Sequence, residues 1–299
     1  MNGVLVIDKP QGLTSHDVVA AARRALGETK IGHTGTLDPL ATGVLPLAIG
    51  RATRLVRFLA ASDKDYEATI RFGLATDTYD VTGHELGRTD AVPSRDELMR
   101  GLDALTGEYV QTPPPYSAKK VDGRRAYQLA RADQEVTLAP VPVRVTRTEL
   151  LDFSGPTAHV ALTCSAGFYV RSFAATLGEM TRTGACLEAL RRTRSGDFAL
   201  QSALHVEELG DARRVAACLV PLSGLLTHFP AVTVTSRGLE HVSHGRELTP
   251  ADYEPASPPP PLPLSPDLWV RVLDAGGGLG AIAVPGSQPG SLHPAVVLM

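Results

Sequence analysis

The densest run of chemically capable residues is Ile31-Gly32-His33-Thr34-Gly35-Thr36-Leu37-Asp38-Pro39-Leu40-Ala41-Thr42-Gly43. Three glycines and a proline within thirteen residues imply a tightly folded loop, close to a ligand or to another stretch of backbone. Asp38 stands directly before Pro39, which disfavours helical geometry and projects its carboxylate from an extended or turn backbone. A phosphate-cradling loop is set aside, because no Gly-Lys-Ser/Thr ending follows. His33 and Asp38 make two metal ligands at most, and without a third nearby a metal-dependent nuclease lacks its cluster. The plain alternative is an Asp-Pro turn initiator. On its residues alone this is a functional loop whose chemistry stays open.

The charge along the chain is uneven. Residues 1–60, 116–150 and 171–194 each carry a net +3, while 61–115 carry −6 and 195–299 carry −5. The total of −3 argues against a surface that coats nucleic acid everywhere. Three basic blocks brought to one face would still meet a polyanion, although scattered solvated charge gives the same arithmetic. A length of 299 residues suggests about two domains, and 43% hydrophobic with 20% charged residues is ordinary globular composition. No apolar run approaches the roughly 18 residues of a membrane span. The opening residues lead directly to Asp8 and Lys9, so no secretory signal is expected. Cys164, Cys186 and Cys218 are odd in number and widely spaced, which favours a reducing cytosol over a disulfide framework.

The elements that must position these residues are legible in outline. Gly3 to Ile7 reads as a buried strand stopped by Asp8-Lys9-Pro10. Ser15 is placed to cap a helix running to about Leu26, stopped by Gly27. Tyr66 to Phe72 alternates strictly, putting Tyr66, Ala68, Ile70 and Phe72 on one strand face. Ser94-Arg95-Asp96-Glu97 is a capping box opening a helix with Leu98, Leu102 and Leu105. Val143–Leu151 and His159–Val170 read as strands, 171–180 as a helix, and 186–192 as a further short helix. Without a regular βαβ period the expected class is α+β with a mostly antiparallel sheet. Pro255 to Pro266 holds seven prolines and reads as an extended linker. Leu268–Val272 and Ile282–Val284 around Gly276-Gly277-Gly278 look like a terminal hairpin. Residues 1–224 are therefore expected to form one domain and 225–299 a smaller β-rich one.

Gly32 to Gly43 resembles the catalytic signature of the TruB family of pseudouridine synthases, and the resemblance extends in order over about residues 3–200. Val6-Ile7-Asp8-Lys9-Pro10 with Gly12-Leu13-Thr14-Ser15 is similar to the family's opening strand and turn. Gly50-Arg51-Ala52-Thr53-Arg54 follows the loop as it does in the family, and Lys64-Asp65-Tyr66 carries its stacking tyrosine. Pro114-Pro115-Tyr116-Ser117-Ala118-Lys119 with Gly123-Arg124-Arg125-Ala126-Tyr127 resembles its RNA-binding insertion, about 114–147. Gly167-Phe168-Tyr169-Val170-Arg171-Ser172 and Leu190-Arg191-Arg192-Thr193 match late active-site segments.

The resemblance implies a pseudouridine synthase-like catalytic domain and a small terminal PUA-like domain. It implies isomerisation of the T-loop uridine at tRNA position 55, by cleavage of the glycosidic bond, rotation of the flipped-out base and rejoining through carbon. No cofactor is implied. Asp38 would start the cleavage, Arg171 would hold it ionised, and Tyr66 would stack on the uracil with its hydroxyl near the sugar. Tyr169 and Leu190 would line the base pocket, and His33 would fill the gap left in the T-loop stack. Lys119, Lys120, Arg124 and Arg125 would meet phosphates. The partner is the tRNA T-arm, with no membrane, no obligate protein partner and a monomeric chain expected. A non-catalytic tRNA-binding or tRNA-folding protein on the same fold is the rival reading. Two positions depart from the family: Phe168 replaces a smaller, often polar residue, and the proline run is an insertion.

Overall fold

The computed structural model describes residues 1–117, 120–121, 124–125, 138–257, 259–261, 264–265 and 267–299, with backbone alone at 120–121 and 124–125. The chain opens with strand β1 (Gly3–Lys9), helix α1 (Ser15–Leu26), strand β2 (Ile31–His33), strand β3 (Thr42–Ile49) and helix α2 (Val56–Ala60). Strand β4 (Lys64–Phe72) precedes a hairpin of β5 (Leu74–Thr76) and β6 (Glu85–Arg88), helix α3 (Arg95–Ala104) and strand β7 (Gly107–Gln111). Two short paired strands, β8 (Lys120–Val121) and β9 (Arg124–Arg125), are followed by long strands β10 (Val141–Ser154) and β11 (Thr157–Cys164). Helix α4 (Val170–Met180), strands β12 (Ala185–Ser195), β13 (Phe198–Ala199) and β14 (Leu204–His205), helix α5 (Ala212–Cys218) and strand β15 (Val220–Pro221) complete this part.

The sheet order is β14-β1-β3-β12-β4-β11-β10-β7, with β2 beside β3, β13 beside β12 and β15 beside β1. Its pairings are antiparallel except β1–β14 and β3–β12, so the α+β expectation holds. Strand β4 shows why the register is firm. Tyr66, Ala68, Ile70 and Phe72 face a core completed by Val18 and Val19 of α1, Leu98 and Leu102 of α3, and Phe173 and Leu177 of α4. Slipping β4 by one residue would turn all four outward and bury charge instead.

Three sequence expectations are corrected. Residues 186–192 are not a helix but the middle of β12, bonded between β3 and β4. Register shifts at Leu187/Ala189 and Arg192/Arg194 break its period of two, and good helix formers such as Leu187, Ala189 and Leu190 complete the disguise. The strand expected over His159–Val170 stops at Cys164, and Ser165 to Tyr169 turn the chain into α4. Thr14, not Ser15, caps α1: its hydroxyl accepts from the Asp17 amide and the Asp17 carboxylate accepts from the Thr14 amide.

A second sheet, β17-β16-β18-β19-β20, is built from β16 (Ala231–Val234), β17 (Tyr253–Pro255), β18 (Val270–Leu273), β19 (Leu279–Pro285) and β20 (Leu292–Val297), with helix α6 (Ser236–Ser243). The expected terminal hairpin is its β18–β19 pair. One of its faces does not form a separate core: Leu279, Ile282 and Leu298 pack with Val4, Val6, Val44 and Ala48 of the first sheet. That explains why β1 and β3 read as continuous apolar runs, since both of their faces are covered. Among the described residues no helix is long and apolar enough to cross a membrane.

Candidate active site

The loop between β2 and β3 has no strand ladder of its own, so side chains from distant segments satisfy its backbone. The Thr34 amide donates to the Pro46 carbonyl at 3.1 Å, and the Gly12 amide donates to the Pro39 carbonyl at 2.8 Å. Arg192, 1% exposed, donates from Nε to the Val44 carbonyl at 2.7 Å and from Nη2 to the Gly35 carbonyl at 3.2 Å. Gly43 is the one loop glycine that the packing demands: its φ is +99° and an added Cβ would lie 2.2 Å from the Arg192 carbonyl oxygen. Gly32 and Gly35 face no such contact.

Asp38 leaves this loop toward α4. Its Oδ2 lies 2.9 Å from Nε of Arg171, whose side chain is 7% exposed against 41% for Asp38. The contact is ionic, because Nε–H does not point along a hydrogen-bond line. Arg171 is otherwise fully engaged. Its Nη1 donates to the Thr78 carbonyl and its Nη2 to the Tyr116 carbonyl, both at 2.9 Å, and Nη1 lies 3.7 Å from the buried Asp80 carboxylate. Asp80 is fixed in turn by the Thr78 and Thr82 hydroxyls at 3.0 and 2.6 Å and by the Thr82 amide at 3.0 Å. The turn carrying it is pinned to β12 through Tyr79 and Val81, which bond the backbone of Leu187, and it holds Tyr79 at φ +63°. Arg171 is thus a buried cation between two carboxylates, aimed at one of them from a rigid seat.

The start of α4 is set from across the site. Tyr169 caps the helix without a side-chain bond of its own; instead the Gln111 side-chain amide accepts from its backbone amide at 2.8 Å and donates to its carbonyl at 3.1 Å. Tyr169 and Tyr66 both feel the Asp38 charge, and burial raises the pKa of each phenol. At Tyr66 the Arg192 guanidinium pulls the opposite way. Both hydroxyls are therefore protonated at neutral pH. Lys9 lies fully buried beneath the loop, donating to the Pro10 and Leu13 carbonyls at 2.9 and 2.7 Å. Burial pulls its ammonium down to about 8, with Asp38 opposing.

His33 sits apart from the carboxylate, against α1. Its ring meets His16 edge-on with centroids 5.6 Å apart, and its buried Nδ1 has no hydrogen-bond partner among the described residues. Burial, then the His16 and Arg192 charges, lower its pKa, so the ring is neutral at pH 7. Leu190 is 9% exposed and lines a cleft of about 210 Å³ with Leu40, Thr42, Ala68, Val160 and Arg191. Phe168 packs on Phe173, centroids 5.9 Å apart, which gives this large departure from the family a core seat. Of the basic residues expected to meet phosphates, Lys120 lies in β8 and Arg124 and Arg125 lie in β9, while Lys119 falls outside the described residues. Among the described residues no group of three His, Cys, Asp or Glu side chains is placed to hold a metal.

Structure therefore brings Asp38, Arg171, Tyr66 and Tyr169 together and adds four residues to which sequence reasoning gave no individual part in the site. They are Asp80, Gln111, Arg192 and Ser15, the last bonded to the backbone of Leu37. A buried arginine paired with a half-exposed carboxylate, with two protonated phenols near enough to feel its charge, is a site for charge-separating chemistry.

The fold is shared with a solved structure. The chain superposes on Cbf5 in the archaeal box H/ACA sRNP Nop10–Cbf5 complex with a TM-score of 0.75 and 24% identity, covering 100% of this chain and 86% of that one. Sequence comparison is more specific. Residues 23–170 match the TruB family pseudouridylate synthase N-terminal domain. The chain is 42% identical over 302 residues to tRNA pseudouridine synthase B of Solibacter usitatus, covering 100% of both. It is 47% identical over 249 residues to that of Symbiobacterium thermophilum, covering 82% of each chain. The chain belongs to the TruB family of pseudouridylate synthases and is an isomerase.

Proposed function

We propose that the protein isomerises uridine 55 in the T-loop of tRNA to pseudouridine, in the cytosol and as a monomer, with Asp38 as the residue that starts the reaction. The observation that carries this is the Asp38–Arg171 pair: a carboxylate open on one side and charge-compensated on the other. The bond from uracil N1 to C1′ breaks, with its electron pair leaving on the base. The base turns, C5 bonds to C1′, C5 gives up its proton and N1 gains one, so the atoms balance without a cofactor. Asp38 must be ionised to act at C1′ or otherwise to start the cleavage, and Arg171 favours that state as the site excludes water.

Tyr66 offers its ring as a stacking surface. Its hydroxyl, held protonated by burial, is a better donor than acceptor, so help in removing a ribose 2′ proton has to come from a shift in that state. Tyr169 and Leu190 complete the pocket. His33 replaces the extruded uridine in the T-loop stack; extrusion costs a few kcal/mol, and a neutral imidazole enters a dry stack at less cost than a charged one. Lys119, Lys120, Arg124 and Arg125 neutralise phosphates of the T-arm.

Tritium release from C5-labelled uridine in T-arm RNA tests the reading directly. Asp38→Asn is expected to slow release at least about a thousandfold, and release that survives the substitution removes Asp38 from the role. His33→Ala is expected to weaken RNA binding and remodelling about tenfold, with the single-turnover rate at saturating RNA close to wild type. A total loss at saturation would instead put His33 in the chemical step.

A further inference from the structure

We infer that Ser15 is a positioning residue for Asp38, acting through the peptide groups of Leu37. This rests on Asp38 being the residue that starts the reaction. The Ser15 hydroxyl accepts from the Leu37 amide at 2.8 Å and donates to the Leu37 carbonyl at 3.0 Å. Ser15 is 2% exposed and Leu37 is 4% exposed, so water does not share these bonds.

A hydroxyl is the smallest group that accepts and donates at once, and engaging both peptide groups of one residue leaves its torsion no freedom. Helix α1 has no use for that hydroxyl, because Thr14 already completes the capping box with Asp17. Among the described residues its hydrogen-bond partner is the one that immediately precedes Asp38.

The placement matters because the Asp38 carboxylate does little to hold itself. It is 41% exposed and touches Arg171 without an aligned hydrogen bond. Its position is inherited from the backbone, and the backbone is fixed on one side by Ser15 and on the other by the Gly12 amide on the Pro39 carbonyl. Removing the Ser15 hydroxyl leaves two buried peptide groups unpaired, and the loop must shift to find partners. Misplacement by about 1 Å at a reacting centre costs on the order of a hundredfold in rate.

The experiment compares Ser15→Ala, Thr14→Ala and Asp38→Asn by three measurements: single-turnover tritium release at saturating T-arm RNA, RNA affinity and thermal midpoint. Ser15→Ala is expected to release about 10- to 100-fold more slowly, with RNA affinity within about twofold of wild type. Thr14→Ala, which weakens the same helix without touching Leu37, is expected to lower the midpoint and keep the rate. A wild-type rate in Ser15→Ala beside an inactive Asp38→Asn overturns the positioning role alone. Equal rate losses in Thr14→Ala and Ser15→Ala overturn it too, since helix integrity would then be the cause. An active Asp38→Asn overturns the functional reading and this inference with it. If Ser15→Ala does not fold, the near-isosteric pair Ser15→Thr and Ser15→Val replaces it. At least about a tenfold faster release with Thr supports the role, and equal rates overturn it.

Discussion

Two aspartates in this molecule each face an arginine, and they are built in opposite ways. Asp252, in the turn that leads into β17 of the terminal sheet, is 0% exposed and saturated by its neighbours. Oδ2 accepts from the Thr249 amide at 2.8 Å and its hydroxyl at 2.7 Å, and Oδ1 accepts from Nε of Arg237 at 2.6 Å. Burial alone would raise its pKa, but the two Thr249 bonds and Arg237 outweigh it and hold the carboxyl at about 2. Asp38 has none of these local bonds. Its ion pair comes from Arg171, more than a hundred residues further along the chain, and one side stays open. A carboxylate whose lone pairs are all engaged is a fastener, whereas one held by charge alone keeps lone pairs for chemistry.

Matched substitutions would break or sharpen that contrast. The largest effect is expected at the aspartates. Asp38→Asn should lose turnover at least about a thousandfold with the thermal midpoint nearly unchanged. Asp252→Asn should do the reverse, costing about 2 kcal/mol of stability while each folded molecule keeps its rate. The arginines come next. Arg171→Lys keeps the charge but not the fork that spans Asp38, Thr78 and Tyr116, and should slow single turnover about a hundredfold. Arg237→Lys, at a side chain 61% exposed, should cost less than about 1 kcal/mol and nothing in rate.

The smallest effect is a pH dependence. Because the folded pKa of Asp252 is depressed from 3.8 to about 2, its contribution is fully present above pH 3.8 and is lost as pH falls through about 2. Urea midpoints of wild type and Asp252→Asn should therefore differ by a constant amount above pH 4 and converge toward pH 2. A gap that persists unchanged at pH 2 would remove the carboxylate's ionisation as its source.

The two sites also differ in how far they can be read from sequence. The Asp38 loop stands out because its glycines, proline and aspartate crowd into one segment, and β4 and α3 stand out because alternation and a capping box are local patterns. Asp80 does not, since a Thr- and Asp-rich turn is everywhere a common surface feature and only the fold buries it against Arg171. Ser15 is hidden by its neighbour: Thr14 and Ser15 are both competent caps, and the signal that gives the cap to Thr14 and frees Ser15 is Asp17 three residues on, where Ser15 has only Val18. Gln111 acts 58 residues away in sequence, through an amide that any strand end carries. Strand β12 is disguised by its own bulges, which are a tertiary accommodation and not a local preference.

The core shared by the two sheets has a consequence for synthesis. Strand β1 is made before the other elements of this fold, yet its neighbours include β15 at Val220–Pro221 and the side chain of Leu298. At about 5–20 residues per second, a ribosome needs roughly 15–60 s to make the 299 residues of this chain. For most of that time Val4 and Val6 have β3 beside them but lack Leu279, Ile282 and Leu298, which complete their cover, and the nascent chain must keep an apolar sheet face from meeting strangers. The terminal sheet thus closes over the site's first strand, and a message cut short before Leu279 would leave that strand unsheltered on one face.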